Sequence, residues 1–387
     1  MISTELVELL EPLERFEKLR RQVVKLGPNL ADLSYANPYD GPQAAARAAI
    51  RAALNDERSL DLQYTPFGGQ TLARRAVADH LRSTTGRPFT FADVILTPGA
   101  MAALQLALRA VGAAQAEVVI PVPCWLDYPL YVRSLGMRPI LVPLSPPTFD
   151  LDVDAIVDAV TDSTCAVLLA NPANPTGRVY GPEQLTALAS ALSKAEERTG
   201  RPMTLIADET HRDFVERGRF ASAGSIVART LLVYSFGKYH FIQGQRLGYI
   251  AVGPDHPDRD VARDLVRWTR ISGHATPTAL MQRTVPRLLE LHDPVEWLAD
   301  VRRTVVDHLE AAGYEVVPAD GTLFLYVRTP RGMDDFAFAE RLGRLGVLVL
   351  PAPVFHHHGY FRLALTASQP MIERALHVLA NEATDGR

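Results

Sequence analysis

Apolar residues in the middle of the chain form short continuous runs that alternate with segments of helical spacing. The run at 165–170 is apolar throughout, which is typical of a strand buried on both faces. The predicted strands span residues 94–97, 117–121, 139–142, 165–170, 203–207, 231–235 and 247–252. The predicted helices between them span residues 100–110, 126–135, 152–160 and 182–198. Strands and helices in alternation indicate a mostly parallel sheet with helices on both sides.

The two ends of the chain have a different pattern. Residues 5–26 are rich in Leu, Glu, Arg and Lys at helical spacing. They predict a helix broken by Pro12, packed on another subunit or on the C-terminal part of the chain. Gly41 and Pro42 predict the start of an alanine-rich helix that ends near residue 54. After residue 293 the pattern predicts a long helix to 312 and strands at 315–317, 323–327, 347–350 and 360–363. It also predicts a helix between the second and third of these strands, and a last helix.

We therefore predict a three-layer α/β/α large domain with a mostly parallel sheet, together with a smaller α+β domain. Residues 1–45 form an N-terminal arm and part of the small domain in this prediction. Residues 46–293 form the large domain, and residues 294–387 form the small C-terminal domain. A chain of 387 residues is long enough for both domains.

Composition narrows the classes of function. The net charge is −4 with no basic block, which argues against nucleic acid or an anionic membrane as the main partner. No stretch approaches the roughly 18 apolar residues of a membrane span, and the acidic N-terminus does not resemble a secretory signal. Cys124 and Cys165 lie in apolar contexts and are expected to be reduced thiols. The expected compartment is the cytoplasm.

The segment Tyr234 to Tyr249 contains the most informative chemistry. Lys238 has Ser235 three residues before it and Arg246 eight residues after it. A lysine that can lose its proton near neutrality forms an imine with an aldehyde. A hydroxyl and a guanidinium are suitable donors to one phosphate. Pyridoxal 5′-phosphate (PLP) needs both groups together, although a basic residue in a loop after a buried strand is the simpler interpretation.

Other candidate residues follow predicted strands, where ligands bind in open α/β sheets. Asp208 follows the strand at 203–207 and is suited to pair with the protonated pyridine nitrogen of PLP. A strand-end aspartate that caps the next helix is an equally common explanation. Asn174 lies in Asn171-Pro-Ala-Asn-Pro-Thr-Gly177, a defined loop from which its amide can reach the phenolic oxygen of the cofactor.

A phosphate site and a stacking residue complete the predicted cofactor pocket. The backbone N–H groups of Gly99, Ala100 and Met101 lie at the start of a predicted helix, where a phosphate can bind. Trp125 follows a predicted strand and could stack on the pyridine ring, although a tryptophan more often belongs to a core.

These motifs resemble those of fold-type I PLP-dependent enzymes of the class I/II aminotransferase family, over nearly the whole chain. The Lys238 segment is similar to the family motif Ser-x-x-Lys…Gly-x-Arg-x-Gly-Tyr. The resemblance implies that Ser235 and Arg246 bind the phosphate. It also implies that Asn174 and Asp208 bind the cofactor ring.

The same resemblance gives roles to residues elsewhere in the chain. Trp125 matches the ring-stacking aromatic residue, and Arg362 matches the arginine that grips the substrate α-carboxylate. Tyr64 matches a tyrosine that reaches the phosphate of the neighbouring subunit. The resemblance thus implies a homodimer with shared active sites, and an L-amino acid and a 2-oxo acid as substrates.

The chain departs from the family at two positions that bear on chemistry. His211 stands where the family has a tyrosine that hydrogen-bonds the phenolic oxygen of the cofactor. A histidine can donate there too, but it can also act as an acid or base. Ala36 stands where a glycine often lets the backbone approach the substrate, so we expect a tighter pocket.

The departure at His211 leaves more than one activity open. Transamination is the first hypothesis, with Lys238 as the base that removes the α-proton. The second is a lyase or cyclase that expels a β- or γ-leaving group with help from His211, since Asp-Glu-x-His resembles the β-lyase branch of the superfamily. A PLP-binding regulator is a third class, but the N-terminal 40 residues are too short and acidic for a helix-turn-helix domain.

Several histidines need a separate interpretation. His356, His357 and His358 are adjacent, but three neighbouring side chains do not point the same way on a strand. We expect them to form a loop rim near Arg362 rather than a metal site. His240 and Tyr39 either line the side-chain pocket or lie in exposed loops.

Overall fold

The chain forms a large sheet flanked by helices and a smaller region built from both ends of the sequence. A computed structural model describes residues 2–37, 39, 44–55, 63–216, 218–274, 276–291, 296–330 and 332–384. The first elements are α1 (Thr4–Val23), β1 (Ala31–Asp32), α2 (Ala44–Asn55), α3 (Thr71–Thr85), β2 (Val94–Thr97) and α4 (Ala100–Val111). Next come β3 (Glu117–Val122), α5 (Tyr128–Ser134), β4 (Arg138–Pro143), α6 (Val153–Asp158), β5 (Thr164–Ala170), α7 (Pro182–Thr199) and β6 (Thr204–Asp208).

The second half continues the alternation before it changes character. It contains β7 (Thr230–Ser235), α8 (Phe236–Tyr239), β8 (Gly248–Val252), α9 (Val261–Ile271), α10 (Ala279–Glu290) and α11 (Glu296–Ala311). The last elements are β9 (Phe324–Arg328), α12 (Asp335–Arg344), β10 (Val347–Leu348), β11 (Leu350–Pro351), β12 (Tyr360–Ala364) and α13 (Gln369–Thr384). The helix prediction omitted α3, α8, α9 and α10.

Seven strands form the central sheet in the order β2-β8-β7-β6-β5-β3-β4. Strand β8 is antiparallel to both of its neighbours, and the other pairs are parallel. All seven strands were predicted, each to within one residue at either end. The mostly parallel sheet is therefore confirmed.

Side chains from both faces of this sheet are buried, which confirms the three-layer arrangement. On β5, Ala166 and Leu168 belong to the core that includes residues of α4 and α9. The intervening Val167 and Leu169 belong to the core on the other face, with residues of α3, α7 and α10. This alternation follows from the two-residue period of a strand and explains the continuous apolar run in the sequence.

The N-terminal helix differs from its prediction, because Pro12 lies inside α1 and does not break it. Phe16 and Val23 are buried, and α1 packs against α5 and α12. Gly343 of α12 approaches so closely that an added Cβ would lie 3.0 Å from Val23 Cγ2. The stabilisation from this packing outweighs the loss of the backbone hydrogen bond that proline cannot donate. The arm thus packs on the C-terminal part of the chain, which is one of the two predicted arrangements.

The smaller region contains a three-stranded antiparallel sheet in the order β11-β12-β9. Strand β1 pairs in parallel with β10, so the N-terminal segment joins this region. The predicted strand at 347–350 is two strands in different sheets. The prediction of a strand at 315–317 was wrong, because only an isolated bridge between Val316 and Val327 forms there.

Some predictions lie outside the described residues. Gly41 and Pro42, the predicted start of the alanine-rich helix, are among them, as is the predicted boundary at residue 293. The division into domains remains a prediction. Cys124 is buried, Cys165 is partly buried, and both are free thiols. Within the described ranges, no helix combines the length and apolar character needed to cross a bilayer.

Candidate active site

The ends of the central strands meet at a cavity of about 150 Å³. Ala170, Asp208 and Ser235 are the last residues of β5, β6 and β7, and all three line this cavity. Neighbouring parallel strands end at the same edge of a sheet, which explains why these distant residues come together. The predicted site residues in its wall are Ala100, Met101, Trp125, Asn174, Asp208, His211, Ser235, Lys238 and Arg246.

Asp208 is buried and held by two hydrogen bonds. The Tyr128 hydroxyl donates to Oδ2 at 2.8 Å, and the Thr210 backbone N–H donates to Oδ1 at 3.0 Å. Burial raises the pKa of the Asp208 carboxyl, while the hydrogen bonds from Thr210 and Tyr128 and the charge of Lys238 oppose the rise. The carboxyl group is thus fixed in the cavity wall, where a cationic N–H group would stabilise its charge.

The neighbouring carboxylate, Glu209, is buried in a different environment. Its Oε1 atom accepts hydrogen bonds from the Ser222 hydroxyl at 2.8 Å and from the Ala223 N–H at 2.9 Å. Glu209 does not line the cavity. Its role is to fix the loop that contains Ser222 and Ala223.

Lys238 lies on the short helix α8, which follows β7 directly. The Ser235 hydroxyl caps this helix by accepting a hydrogen bond from the Gly237 N–H at 3.3 Å. Burial and the charges of Arg362 and Arg246 together lower the pKa of the Lys238 amine to about 8, against the opposing charge of Asp208. About a tenth of the amine is therefore unprotonated at pH 7, far more than for an ordinary lysine, and this is the form that a nucleophile requires.

Ser235, Arg246 and the start of α4 meet at one end of the cavity. Gly248, the first residue of β8, pairs with Ser235 on one side and with Thr97 on the other. The start of β8 therefore lies beside the ends of β7 and β2. Gly99 has a φ of +85°, and an added Cβ there would lie 2.7 Å from the Arg246 Nη2 atom. The positive φ is the reason that glycine is favoured at this position. This corner combines a hydroxyl, a guanidinium and the first N–H groups of a helix, which together favour an anion. The Gly99 N–H is not available, because it donates to the Thr97 carbonyl at 2.7 Å.

Arg362 lies beside the cavity and hydrogen-bonds Asn174 in the cavity wall. Its Nη1 donates to Asn174 Oδ1 at 2.9 Å, and its Nη2 donates to the Ser34 carbonyl at 2.8 Å. The guanidinium carbon lies 3.8 Å from the Phe324 ring centroid and 4.8 Å from that of Phe355. Burial lowers the pKa of Arg362 to about 9, so the group remains a cation at neutral pH. Its buried Nε has no hydrogen-bond partner within the described part of the chain.

His211 lies deep in the cavity wall. Its ring meets Phe324 edge-on, with centroids 5.5 Å apart, and its buried Nδ1 has no partner among the residues that the structure describes. Burial lowers the pKa of His211 well below its usual value, and the charges of Lys238 and Arg362 act in the same direction. The imidazole is therefore neutral at neutral pH, with one nitrogen able to donate and one able to accept.

Four predicted site residues do not line the cavity: Gly99 and Arg362, which border it, and Tyr64 and Ala36. Tyr64 is fully exposed in the single chain. Ala36 is buried, and its carbonyl accepts a hydrogen bond from Gln243 Nε2 at 2.9 Å. Gln243 does line the cavity, so it links the N-terminal segment to the Lys238 region. The side-chain amide of Gln243 carries no motif signal, and neither does Tyr128; sequence reasoning missed both.

The remaining histidines and Tyr39 do not line the cavity. His240 is buried against Phe236, with ring centroids 6.2 Å apart, and burial lowers its pKa to about 4. The proposal of a pocket or exposed-loop position for His240 was therefore wrong, because its ring packs in the core. Tyr39 is partly exposed, at 39%.

His356, His357 and His358 have three different environments. His356 Nε2 lies 3.1 Å from the Leu126 carbonyl, and His357 Nδ1 lies 3.1 Å from the Tyr326 hydroxyl. His358 is exposed near Asp335. Across the described ranges, no group of three His, Cys, Asp or Glu side chains is arranged to hold a metal ion.

Comparisons with known proteins match this geometry. The family model "Aminotransferase class I and II" matches residues 22–379. The aspartate/prephenate aminotransferase of Thermus thermophilus is 29% identical over 375 residues, which cover 94% of this chain and 92% of that protein. The aspartate aminotransferase of Bacillus subtilis is 24% identical over 380 residues, with 92% of each chain covered.

Solved structures agree over the whole length. An amino transferase from Eubacterium rectale superposes with a TM-score of 0.90 and 26% identity, and covers 100% of this chain and 99% of its own. The aspartate aminotransferase from Thermus thermophilus with maleate has a TM-score of 0.84 and 26% identity, and covers 98% of this chain and 99% of its own. The predicted fold class and enzyme class are thus confirmed, and nothing in these comparisons favours the lyase hypothesis. The chain belongs to the class I and II aminotransferase family.

Proposed function

We propose that this aminotransferase uses pyridoxal 5′-phosphate bound to Lys238 and moves an amino group between an L-amino acid and a 2-oxo acid. One observation carries the proposal. The Lys238 amine, with a pKa of about 8, shares a cavity with the buried Asp208 carboxyl group. An imine-forming amine and an acidic partner for a ring nitrogen are the two groups that PLP chemistry needs from a protein.

The phosphate of the cofactor fits the corner at the start of α4. The Arg246 guanidinium adjoins Gly99, and Ser235 ends the strand beside Gly248. We assign the phosphate to Ser235, Arg246 and the backbone N–H groups of Ala100 and Met101. The predicted contribution of the Gly99 N–H is dropped, because this group donates to the Thr97 carbonyl.

The ring fits the opposite part of the cavity. Asp208 would pair with the ring nitrogen, and Trp125 would stack on the ring. Asn174 Oδ1 accepts from Arg362, so the Asn174 amide N–H₂ is the group that remains to donate to the phenolic oxygen. His211 would donate to the same oxygen from its neutral imidazole. The buried Nδ1 without a partner is consistent with a ligand at this position.

The proton transfer falls to Lys238. When bound, the cofactor supplies a conjugated ring that takes up the electron pair left at the substrate Cα. The Lys238 amine, once the substrate amine has replaced it on the cofactor, would remove the proton from that carbon, and its lowered pKa favours the unprotonated form that this requires. A positioned base of this kind contributes about 10² to 10⁴ in rate.

Arg362 would hold the substrate α-carboxylate. The guanidinium is a buried cation that uses two of its donor groups for Asn174 and Ser34 and leaves Nε without a partner. A carboxylate that binds beside it gains a charge-assisted hydrogen bond in a site of low polarity. The predicted effect of Ala36 is a narrower entrance, since its segment is tied to Gln243.

We further propose a homodimer in which Tyr64 completes the phosphate site of the partner. Tyr64 is fully exposed, Phe67 is 45% exposed and Met101 is 44% exposed in the single chain. Large apolar side chains that are exposed in a single chain are candidates for contact with another molecule. The free thiols of Cys124 and Cys165 fit a reducing compartment, and we propose the cytoplasm.

A half-reaction tests the proposed function. The cofactor-loaded protein is mixed with an amino acid in the absence of any 2-oxo acid. We expect a stoichiometric amount of 2-oxo acid per site and no free ammonia, because the amino group remains on the enzyme. Continuous release of ammonia with the 2-oxo acid would instead establish the lyase hypothesis.

A further inference from the structure

A second cavity lies at the opposite edge of the central sheet from the candidate active site. Its volume is about 480 Å³, and residues at or just before the starts of β3, β5, β6 and β7 line it. Thr204, the first residue of β6, lies in its wall, whereas Asp208, the last residue of β6, lies in the wall of the active-site cavity. A strand rises about 3.3 Å per residue, so roughly 13 Å separates these two residues. A ligand in the second cavity would therefore not occupy the site of the cofactor or the substrate.

The buried part of the second cavity contains a histidine with one unpaired ring nitrogen. His256 lines the cavity and is 3% exposed, and its Nε2 atom has no hydrogen-bond partner within the described ranges. Its Nδ1 atom contacts the Asp258 backbone, 3.2 Å from the nitrogen and 3.0 Å from the carbonyl oxygen. A buried polar atom without a partner is costly unless a ligand or water satisfies it. Nε2 is thus the atom at which His256 can bind a ligand.

The contacts of Nδ1 are compatible with a hydrogen on Nε2. In one neutral tautomer, Nδ1 accepts from the Asp258 N–H and Nε2 carries the hydrogen. In the imidazolium, Nδ1 donates to the Asp258 carbonyl and Nε2 carries a hydrogen as well. Burial lowers the pKa of His256, and the charge of Arg229 acts in the same direction. A negatively charged acceptor at Nε2 would be stabilised by both of these states.

A guanidinium adjoins His256 in the cavity wall. Arg229 lines the cavity and is near enough for its charge to affect the pKa of His256. Its Nε donates to Glu196 Oε1 at 3.0 Å, which fixes the side chain and leaves the two Nη groups as further donors. The Arg229 side chain is 22% exposed, so water and salt screen its attraction to an anion less than at the open surface.

The other charged residues of the wall lie at its rim. Arg201, Asp162 and Asp258 are all exposed, so their charges are screened and contribute little to the free energy of binding. Val261, the first residue of the 11-residue helix α9, also lines the cavity. The first N–H groups of a helix carry a partial positive charge. The less exposed part of the cavity therefore favours a negative group.

We propose that this cavity is a second ligand site, which binds a small molecule through an anionic group held by Arg229 and His256. The anionic group is a carboxylate or a phosphate, since both accept charge-assisted hydrogen bonds from a guanidinium. The volume of the cavity lies in the range of sites for small organic molecules. The proposal does not depend on Lys238, so it is separate from the proposed function.

Isothermal titration calorimetry of the cofactor-loaded protein tests this site, with inorganic phosphate and acetate as probes. They present the two anionic groups without other recognition features, so the probe that binds more tightly identifies the group. We expect saturable binding to the wild-type protein. Arg229→Gln and His256→Phe should each weaken it at least about tenfold, the loss expected when a hydrogen bond to a charged group is removed.

Arg263→Gln is the matched control. Arg263 is an exposed arginine on α9 that pairs with Asp260 at 2.8 Å and does not line the cavity. Its replacement removes the same charge and should leave the affinity for the probe unchanged. Circular dichroism verifies that each variant is folded. Arg229→Gln and His256→Phe should retain the wild-type half-reaction, because neither residue lies in the active-site cavity.

The outcomes separate the second site from the candidate active site. Binding that needs Arg229 and His256 but not Arg263 would support the proposal. If neither probe binds the wild-type protein, the proposal is wrong. It is also wrong if Arg362→Gln abolishes binding while Arg229→Gln leaves it intact, because the anion then occupies the active site. Equal losses in Arg229→Gln and Arg263→Gln would reveal a general effect of net charge and would likewise overturn it.

Discussion

The Tyr128 hydroxyl donates a 2.8 Å hydrogen bond to Oδ2 of Asp208 inside the protein. Tyr128 comes from the start of α5 and Asp208 from the end of β6, so the bond joins two separate elements of the cavity wall. This bond opposes the rise in the pKa of Asp208 that burial causes. Tyr128 is therefore a positioning residue that orients the carboxyl group and favours its ionised form.

Removal of this hydroxyl gives the first prediction. Tyr128→Phe raises the pKa of Asp208 further. As the pH falls, the carboxylate therefore becomes protonated at a higher pH than in the wild-type protein. We expect about a tenfold loss in the rate of the half-reaction, from the roughly 1 to 1.5 kcal/mol of one buried hydrogen bond. The pH titration of the cofactor absorption should shift upward in parallel.

Tyr314→Phe is the matched control for this substitution. The Tyr314 hydroxyl donates to the Leu379 carbonyl at 3.0 Å, in the smaller region of the chain. Its removal should leave the spectral titration unchanged. A Tyr128→Phe enzyme with wild-type absorption at every pH would show that Tyr128 only fills space.

The second prediction concerns the pH dependence of cofactor capture by the apo-protein. The pKa of the Lys238 amine is lowered to about 8, and only the unprotonated amine attacks an aldehyde. The rate of imine formation should rise about tenfold per pH unit below that value and level off above it. Stopped-flow absorption with PLP in excess measures this rate.

Arg362 supplies an independent check on the cause of this pKa. Its charge lowers the pKa of Lys238, so Arg362→Gln should move the midpoint to higher pH. Circular dichroism would confirm that the variant is folded. A midpoint near that of ordinary lysine in the wild-type protein, or no movement in the variant, would show that the amine is not in the described environment.

The third prediction decides the role of His211. Because its ring is neutral, we expect His211 to act as a hydrogen-bond donor. An amide can replace a neutral imidazole in that role. His211→Gln should keep the half-reaction rate within about tenfold of wild type, whereas His211→Phe, which has no donor, should lose more. A loss of about 100-fold or more in both variants would instead identify His211 as an acid or base.

The fourth prediction tests the proposed dimer. Tyr64→Ala and Lys238→Ala chains, each weak or inactive alone, are mixed under conditions that exchange subunits. If Tyr64 serves the partner's site, one site of the mixed dimer carries both substitutions and the other carries neither, so activity returns. No recovery despite proven exchange, or a monomer in sedimentation analysis, would contradict the shared site.

The strands and the residues just after them could be predicted from the sequence. Buried parallel strands have continuous apolar runs, and chemistry follows at their ends, so Asp208, Asn174 and Lys238 could be singled out. Helices without a motif or a clear boundary were missed, such as α9 and α10. Pro12 was misjudged because its helix is stabilised by packing that no local pattern reveals.

Residues that act through contacts between elements could not be predicted. Tyr128 meets Asp208 across 80 positions of sequence, and Gln243 meets Ala36 across 207. The neutral state of His211 also depends on charges from two other segments, Lys238 and Arg362. Sequence alone left its role open, because histidine titrates near neutrality unless burial and neighbours decide otherwise.

The chemical link between the cofactor and Lys238 is the central claim, and reduction with borohydride tests it most directly. The chain has four lysines, Lys18, Lys25, Lys194 and Lys238, so peptide mass mapping can assign a reduced adduct without ambiguity. We expect a single phosphopyridoxyl adduct on Lys238, with Lys194→Ala unaffected and Lys238→Ala unlabelled. A protein that stays colourless after reconstitution, or an adduct on another lysine, would contradict the account.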